Sequence, residues 1–304
     1  MAITTPSLGI VIPAGPRDDV ADTVESVLTY TRTPRRIVLI DDTDDDRLAQ
    51  IADRSDDIDL IAPIHRHAAR GGLLLENIAA GYRHLLGTFA FDAILRLDAD
   101  ALVIGPGLAE RAVERFATDG SIGLLGASRI AANGGTRDWS WAAAALARTC
   151  GPLGRRHPET RRLVRRLRSA AISHGYVPGE GPQGGGYIHS PQLVRAMDEL
   201  GLLDPGPLAR CTMGEDQIFG LLAYACGFRI EEFGSPDGPL AVRWRGLPAS
   251  PDQLIAQGSL VAHSVRFHGD RDEEQVRAWF RAHRTRSAPG SLEITPTQTA
   301  TRDE

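Results

Sequence analysis

Short apolar runs recur through the first part of the chain, each separated from the next by a helical pattern. They are Leu8–Ile12, Ile37–Ile40, Ile58–Ala62, Ala93–Leu97 and Ile122–Gly126. Runs this short and continuous read as strands buried inside a parallel sheet. Between them, apolar residues fall at helical spacing, as in Val20, Val24, Val27 and Leu28, or Leu74, Ile78, Tyr82 and Leu85. Asp18 or Asp19 is placed to cap the first of these helices. Strand, helix and strand in alternation predict βαβ units, hence an α/β fold with a mainly parallel sheet flanked by helices. In such sheets ligands gather beyond the carboxyl ends of the strands, so chemistry is expected where each run stops.

The run endings are suggestive. The first run stops at Pro13. The second ends in Asp41-Asp42-Thr43-Asp44-Asp45-Asp46. A carboxylate there can accept from a nucleobase imide or a ribose hydroxyl, although acids at the start of a helix are also favoured by its dipole. The fourth run ends in Asp98-Ala99-Asp100. Taken alone, this Asp-x-Asp also reads as a solvated turn. Its two carboxylates are, however, hard oxygen ligands suited to Mg²⁺ or Mn²⁺ that holds substrate phosphates as well. Before the third helix, Arg70 can fork onto a diphosphate or lie against a base, and Glu76 and Asn77 follow it on that helix.

From Ala127 to Gly186 the character changes to a small-polar loop, Trp139 and Trp141, and a helix rich in arginine (Arg161, Arg162, Arg165, Arg166 and Arg168). That run reads as a solvated helix face, or as a surface meeting an anionic acceptor. Gly184-Gly185-Gly186-Tyr187 is costly in conformational entropy and fits a backbone that approaches a ligand closely. Ser190 and Pro191 open a helix. Gly214-Glu215-Asp216 opens another over Gln217–Ala225, where a carboxylate can take a proton from an acceptor hydroxyl. A strand is expected over Leu260–Phe267 and a terminal helix over Asp272–His283. His263 or His268 can add a neutral imidazole to a metal shell. The polar stretch 287–304 reads as a disordered tail.

Composition removes several alternatives. All 34 basic residues are arginine, so lysine Schiff-base chemistry and a Walker-type phosphate lysine are excluded. A net charge of −5 does not point to nucleic acid. Cys150, Cys211 and Cys226 form no Cys-x-x-Cys pair and suit a reducing compartment. Neither a signal-peptide pattern nor a transmembrane-length apolar run is present, so a cytoplasmic protein is expected, with a peripheral encounter with a membrane-bound substrate left open.

In this order the motifs resemble a GT-A fold glycosyltransferase of family 2. Ile40-Asp41-Asp42-Thr43-Asp44-Asp45 is similar to that family's acidic nucleotide turn, with Thr43-Asp44 where Gly-Ser is usual. Leu97-Asp98-Ala99-Asp100 resembles its Asp-x-Asp motif. Gly184-Gly185-Gly186-Tyr187-Ile188 and Gly214-Glu215-Asp216-Gln217 resemble the acceptor side of these enzymes and of fringe-like galactosyltransferases. The resemblance implies one GT-A domain over 1–286, with a nucleotide-sugar-binding half (7–126) and an acceptor-binding half (127–286). It implies a nucleoside-diphosphate sugar as donor, a hydroxyl acceptor, Mn²⁺ or Mg²⁺ as cofactor, and an inverting hexosyl transfer. Asp98, Asp100 and His263 (alternatively His268) would hold the metal, with Asp98 serving the ribose as an alternative. Pro13, Asp41 or Asp42, Arg70, Asn77, Asp98, Asp100, Gly185 and Gly186 would line the donor. Asp216 would be the general base, ahead of Glu215. The competing expectations are a sugar-phosphate nucleotidyltransferase, which usually has a Gly-rich phosphate loop that Pro13-Ala14-Gly15-Pro16-Arg17 approximates poorly, and a non-catalytic nucleotide-sugar-binding domain.

Overall fold

The computed structural model describes residues 5–68, 71–234, 236 and 238–287. Arg70 and the expected tail, apart from Ser287, lie outside the described residues. The first half runs β1 (Leu8–Ala14), α1 (Val20–Tyr30), β2 (Arg35–Asp41), α2 (Arg47–Ala52), β3 (Ile58–Ile61), α3 (Gly71–Thr88), β4 (Ala93–Leu97), β5 (Ala101–Val103), α4 (Leu108–Thr118) and β6 (Ile122–Gly126). The second continues with α5 (Ser140–Cys150), α6 (Pro158–Ser173), β7 (Gly186–His189), α7 (Pro191–Glu199), α8 (Glu215–Ala225), β8 (Arg229–Glu232), β9 (Leu240–Val242), α9 (Pro251–Ala256), β10 (Val261–His263), β11 (Phe267–His268), β12 (Arg271–Asp272) and α10 (Glu273–Ser287).

The central sheet has seven strands in the order β3-β2-β1-β4-β7-β6-β8. Neighbours are parallel except around β7, which runs antiparallel to both β4 and β6. This is the GT-A architecture. Alternation along β1 explains why both faces must be covered. Ile10 and Ile12 pack with Val24 of α1 and Leu108 of α4, whereas Val11 packs with Ile78 of α3 and Phe219 of α8. Each face therefore buries an apolar layer under helices, which is where most of the stabilisation of such a fold arises.

Two details of the sheet position the site. Because β7 runs backwards, its amino end, with the glycine run before it, lies beside the carboxyl end of β4: Leu97 pairs with Gly186, and the Asp98 N–H donates to Gly185 O at 3.0 Å. A second sheet, β5-β10-β9, starts just past Asp100, and its register sets His263 opposite Ala101. Residues 162 positions apart in the chain are thereby brought together by strand pairing.

Several expectations need correction. β1 runs on through Pro13 to Ala14. Past Val11 it is paired by β2 alone, and proline is tolerated where one flank has no partner. Asp19 is the N-cap residue of α1, but no side chain caps it; Asp18 instead accepts from the Gly15 N–H at 2.8 Å. The expected strand Leu260–Phe267 breaks after His263. Ser264 and Arg266 leave the ladder to bond the Asp100 carboxylate, and Phe267–His268 pairs separately with β12. Helix α5 was not expected.

Candidate active site

A cavity of ≈ 1430 Å³ opens at the carboxyl edge of the central sheet. It is lined from the strand ends by Pro13, Asp42 and Asp98, and from the second half by Gly184, Asp216 and His263.

At its floor, Asp98, Asp100 and His263 each offer one ligand atom, and these atoms lie within 4.8 Å of one another. His263 Nε2 is 3.5 Å from Asp98 Oδ2 and 3.3 Å from Asp100 Oδ1. The remaining carboxylate oxygens are already engaged. Asp98 Oδ1 lies 2.6 Å from the Arg96 guanidinium, while Asp100 Oδ2 accepts from Ser264 Oγ at 2.8 Å and Arg266 Nε at 2.7 Å. Two oxygens and an imidazole nitrogen are thus left converging on one point. Burial pushes the Asp100 carboxyl up, but His263, Arg266 and Ser264 outweigh it and hold it far below the usual carboxylate range. His268 sits on β11 and is not part of this group.

The glycine run serves differently from expectation. Gly184 lines the cavity; Gly185 and Gly186 do not. Gly185 has φ +111°, and a Cβ on it would lie 2.2 Å from His263 Nδ1. Only glycine leaves room for the imidazole to lie flat against the strand end. Gly186 is buried within β7.

At the carboxyl end of β2, the two leading acids of the Asp41–Asp46 turn separate. Asp41 Oδ1 accepts from the N–H and hydroxyl of Thr43, closing a local turn. Asp42 lines the cavity; its Oδ2 accepts from the Ala68 N–H at 3.2 Å, while its buried Oδ1 has no hydrogen-bond partner. Asn77 also lines the cavity, but both ends of its amide are spent on the His65 backbone at 2.8 Å. Glu76 bridges His65 and the N–H groups of Gly206 and Ala209. Asn77 therefore shapes the wall, and Glu76 is a buried brace that does not line it.

At the start of α8, Glu215 and Asp216 are both 8% exposed and both face the cavity. Glu215 Oε1 accepts from Arg96 at 3.0 Å. Burial, aided by Asp216 and Asp98, overcomes that attraction and pushes the Glu215 carboxyl up to about 7. One guanidinium does not balance two carboxylates, and Arg96 lies closer to Asp98. Asp216 Oδ2 accepts from the Gly184 N–H at 2.9 Å and Oδ1 from the Gln217 N–H at 3.0 Å; burial raises this carboxyl as well.

Residues 10–176, more than half of the chain, match the family model described as Glycosyl transferase family 2. The chain belongs to this family. No curated protein matches it. Membership supports transfer of a glycosyl group from a nucleotide-sugar donor to an acceptor, and so places transfer ahead of nucleotidyl exchange. The matched segment contains Asp42, Arg96, Asp98 and Asp100, whereas Gly184, Asp216 and His263 lie beyond it. No described helix of this family 2 protein is long and apolar enough to cross a membrane.

The site also holds residues that sequence reasoning missed. Arg96 is 1% exposed and ties Asp98 to Glu215. Its signal was a charge interrupting the apolar run Ile94-Leu95-Arg96-Leu97, unexplained unless paired. Arg266 sits between Asp100 and Asp18, at 2.7 and 3.7 Å. Arg277, also 1% exposed, donates from α10 to Ala99 O at 2.9 Å, and Thr23 of α1 donates to the same carbonyl at 2.6 Å. The turn carrying both aspartates is thus clamped from behind.

Proposed function

We propose that this family 2 protein is a divalent-metal-dependent, inverting hexosyltransferase that moves a sugar from a nucleoside-diphosphate sugar to an acceptor hydroxyl. The observation that carries the reading is the convergence of Asp98 Oδ2, Asp100 Oδ1 and His263 Nε2, with the other carboxylate oxygens occupied elsewhere. Two carboxylates and one neutral imidazole fit Mn²⁺ or Mg²⁺, and the nitrogen ligand favours Mn²⁺ of the two. When bound, such an ion neutralises charge on the departing nucleoside diphosphate.

The chain's own residues supply the remainder. Asp42 Oδ1, a buried acceptor that makes no hydrogen bond and has only the Arg66 Nε at 3.6 Å, receives a donor from the nucleobase or ribose. Arg96 holds Asp98 with one oxygen free, and Arg266 and Ser264 do the same for Asp100. Asp216 takes the proton of the acceptor hydroxyl as that oxygen attacks the anomeric carbon from the face opposite the leaving group, giving inversion. Glu215 is less suited to this task because it is bonded to Arg96. The Gly184 N–H fixes the Asp216 carboxylate.

A panel of nucleotide sugars tests this reading. One of them is expected to be hydrolysed slowly in Mn²⁺ without added acceptor, and chelation by EDTA is expected to stop the reaction. Binding without turnover across the panel in Mn²⁺ would favour a non-catalytic nucleotide-sugar-binding domain; pyrophosphate-dependent consumption would favour nucleotidyl exchange.

A further inference from the structure

We propose that the exposed face running from Trp141 along α5, across the Pro152–Arg156 turn and onto α6 docks on an anionic phospholipid bilayer, and so presents a membrane-borne acceptor to the cavity. Only the second clause rests on the transfer reading; the docking does not.

Charge is the first observation. The whole chain carries −5, yet eight arginines and a single acid, Glu159, fall between Arg148 and Arg168. None of these arginines forms an ion pair among the described residues, although arginines elsewhere in the chain are repeatedly paired with acids. Arg162, Arg165 and Arg166 lie on the exposed side of α6, whose opposite side buries Thr160, Val164, Leu167 and Ala171. Such a face attracts an anionic surface.

Exposed apolar groups are the second. Leu153 on the turn is 71% exposed, Trp141 is 54% exposed, and Ile172 is 46% exposed on the same side of α6 as Arg165. Large apolar side chains set among unpaired arginines suit the headgroup–acyl boundary, where the charges meet phosphates and the apolar groups leave water. A soluble polyanion would engage the charges and leave Leu153 and Ile172 in water.

Continuity with the active site is the third. Trp141 lines the cavity. From it the exposed positions Ala144, Ala147 and Arg148 lead along one side of α5 toward the turn that carries Leu153. An acceptor embedded in the bilayer would therefore meet the cavity at Trp141.

Co-sedimentation of the full chain with vesicles tests the proposal. Binding is expected to phosphatidylcholine vesicles containing a third phosphatidylglycerol and not to phosphatidylcholine alone. It should weaken steeply from about 0.1 M to about 1 M salt, as the screening length falls from ~10 to ~3 Å. The triple variant Arg162→Glu, Arg165→Glu, Arg166→Glu, checked for an unchanged melting curve, should lose at least about 100-fold in partitioning. Leu153→Ser with Ile172→Ser should lose several-fold while keeping every charge. Asp216→Asn should pellet as the wild type does, so failure of the transfer reading leaves the docking result intact. Absence of pelleting with anionic vesicles, or undiminished pelleting of the arginine variant, overturns the proposal. Unchanged pelleting of the Leu153/Ile172 variant also overturns it, in favour of a surface that reads charge alone.

Discussion

Asp216→Asn is expected to bind nucleoside diphosphate as the wild type does and to transfer sugar roughly 10²–10⁴-fold more slowly, the usual range for loss of a positioned general base. The substitution is nearly isosteric. The amide oxygen can still accept from the Gly184 N–H, and the helix start is retained, so the fold and donor side should survive. What disappears is a group able to take a proton from the acceptor. The split between kcat and donor affinity is the informative readout, since general damage to the site would move both. pH adds a second readout. Burial raises the Asp216 carboxyl above its ordinary value. The base works only when deprotonated, so transfer should rise with pH through a limb displaced above the usual carboxylate range. Normal turnover by Asp216→Asn would exclude this residue as the base and turn attention to Glu215.

Arg96→Met should destabilise the protein by about 3–5 kcal/mol, the range for removing one partner of a buried ion pair. The methionine fills similar volume, so the loss is electrostatic in origin. Asp98 and Glu215 would be left facing one another across the sheet edge, with the guanidinium that now stands 2.6 and 3.0 Å from them gone. The attraction of Arg96 to the Tyr187 ring, 5.5 Å from its centroid, goes as well. Protonation of Glu215 relieves part of this. In the wild type its carboxyl is raised from 4.5 to about 7, so the folded state keeps a proton that the unfolded chain has released. The contribution of this group is therefore full below about pH 4.5 and is lost as pH rises through about 7. In Arg96→Met the destabilisation should accordingly be smaller at pH 5 than at pH 8. Equal urea midpoints for variant and wild type at pH 8 would show that Arg96 is not what holds the carboxylates together.

The parts of this molecule that could be read from sequence are those fixed by local pattern. β4 and β6 fall on their predicted residues because each is an apolar run bounded by charge or glycine. Asp98 and Asp100 were visible because β4 must end where its apolar run ends, and α/β sheets bind ligands there. Ser190 was legible as a cap, and its hydroxyl does accept from the Leu193 N–H. What could not be read is set by contacts between distant segments. The choice between His263 and His268 follows from β10 pairing with β5, which no local signal encodes. The division of labour between Asp41 and Asp42 depends on Thr43 capturing one and Ala68 approaching the other. The glycine run was expected to approach a ligand, whereas the group packed against Gly185 is the His263 ring. Arg96 was in plain sight within an apolar strand, and only the fold reveals the two acids that keep it there.

Asp98, Asp100 and His263 are expected to hold a divalent cation that serves the donor diphosphate. Titration with Mn²⁺ followed by electron paramagnetic resonance, with and without a nucleoside diphosphate, tests it most directly. One bound ion per chain is expected, held more tightly when the diphosphate is present, and absent from Asp100→Ala under the same conditions. Mn²⁺ bound equally by Asp100→Ala and the wild type, with the same tightening by diphosphate, would contradict it.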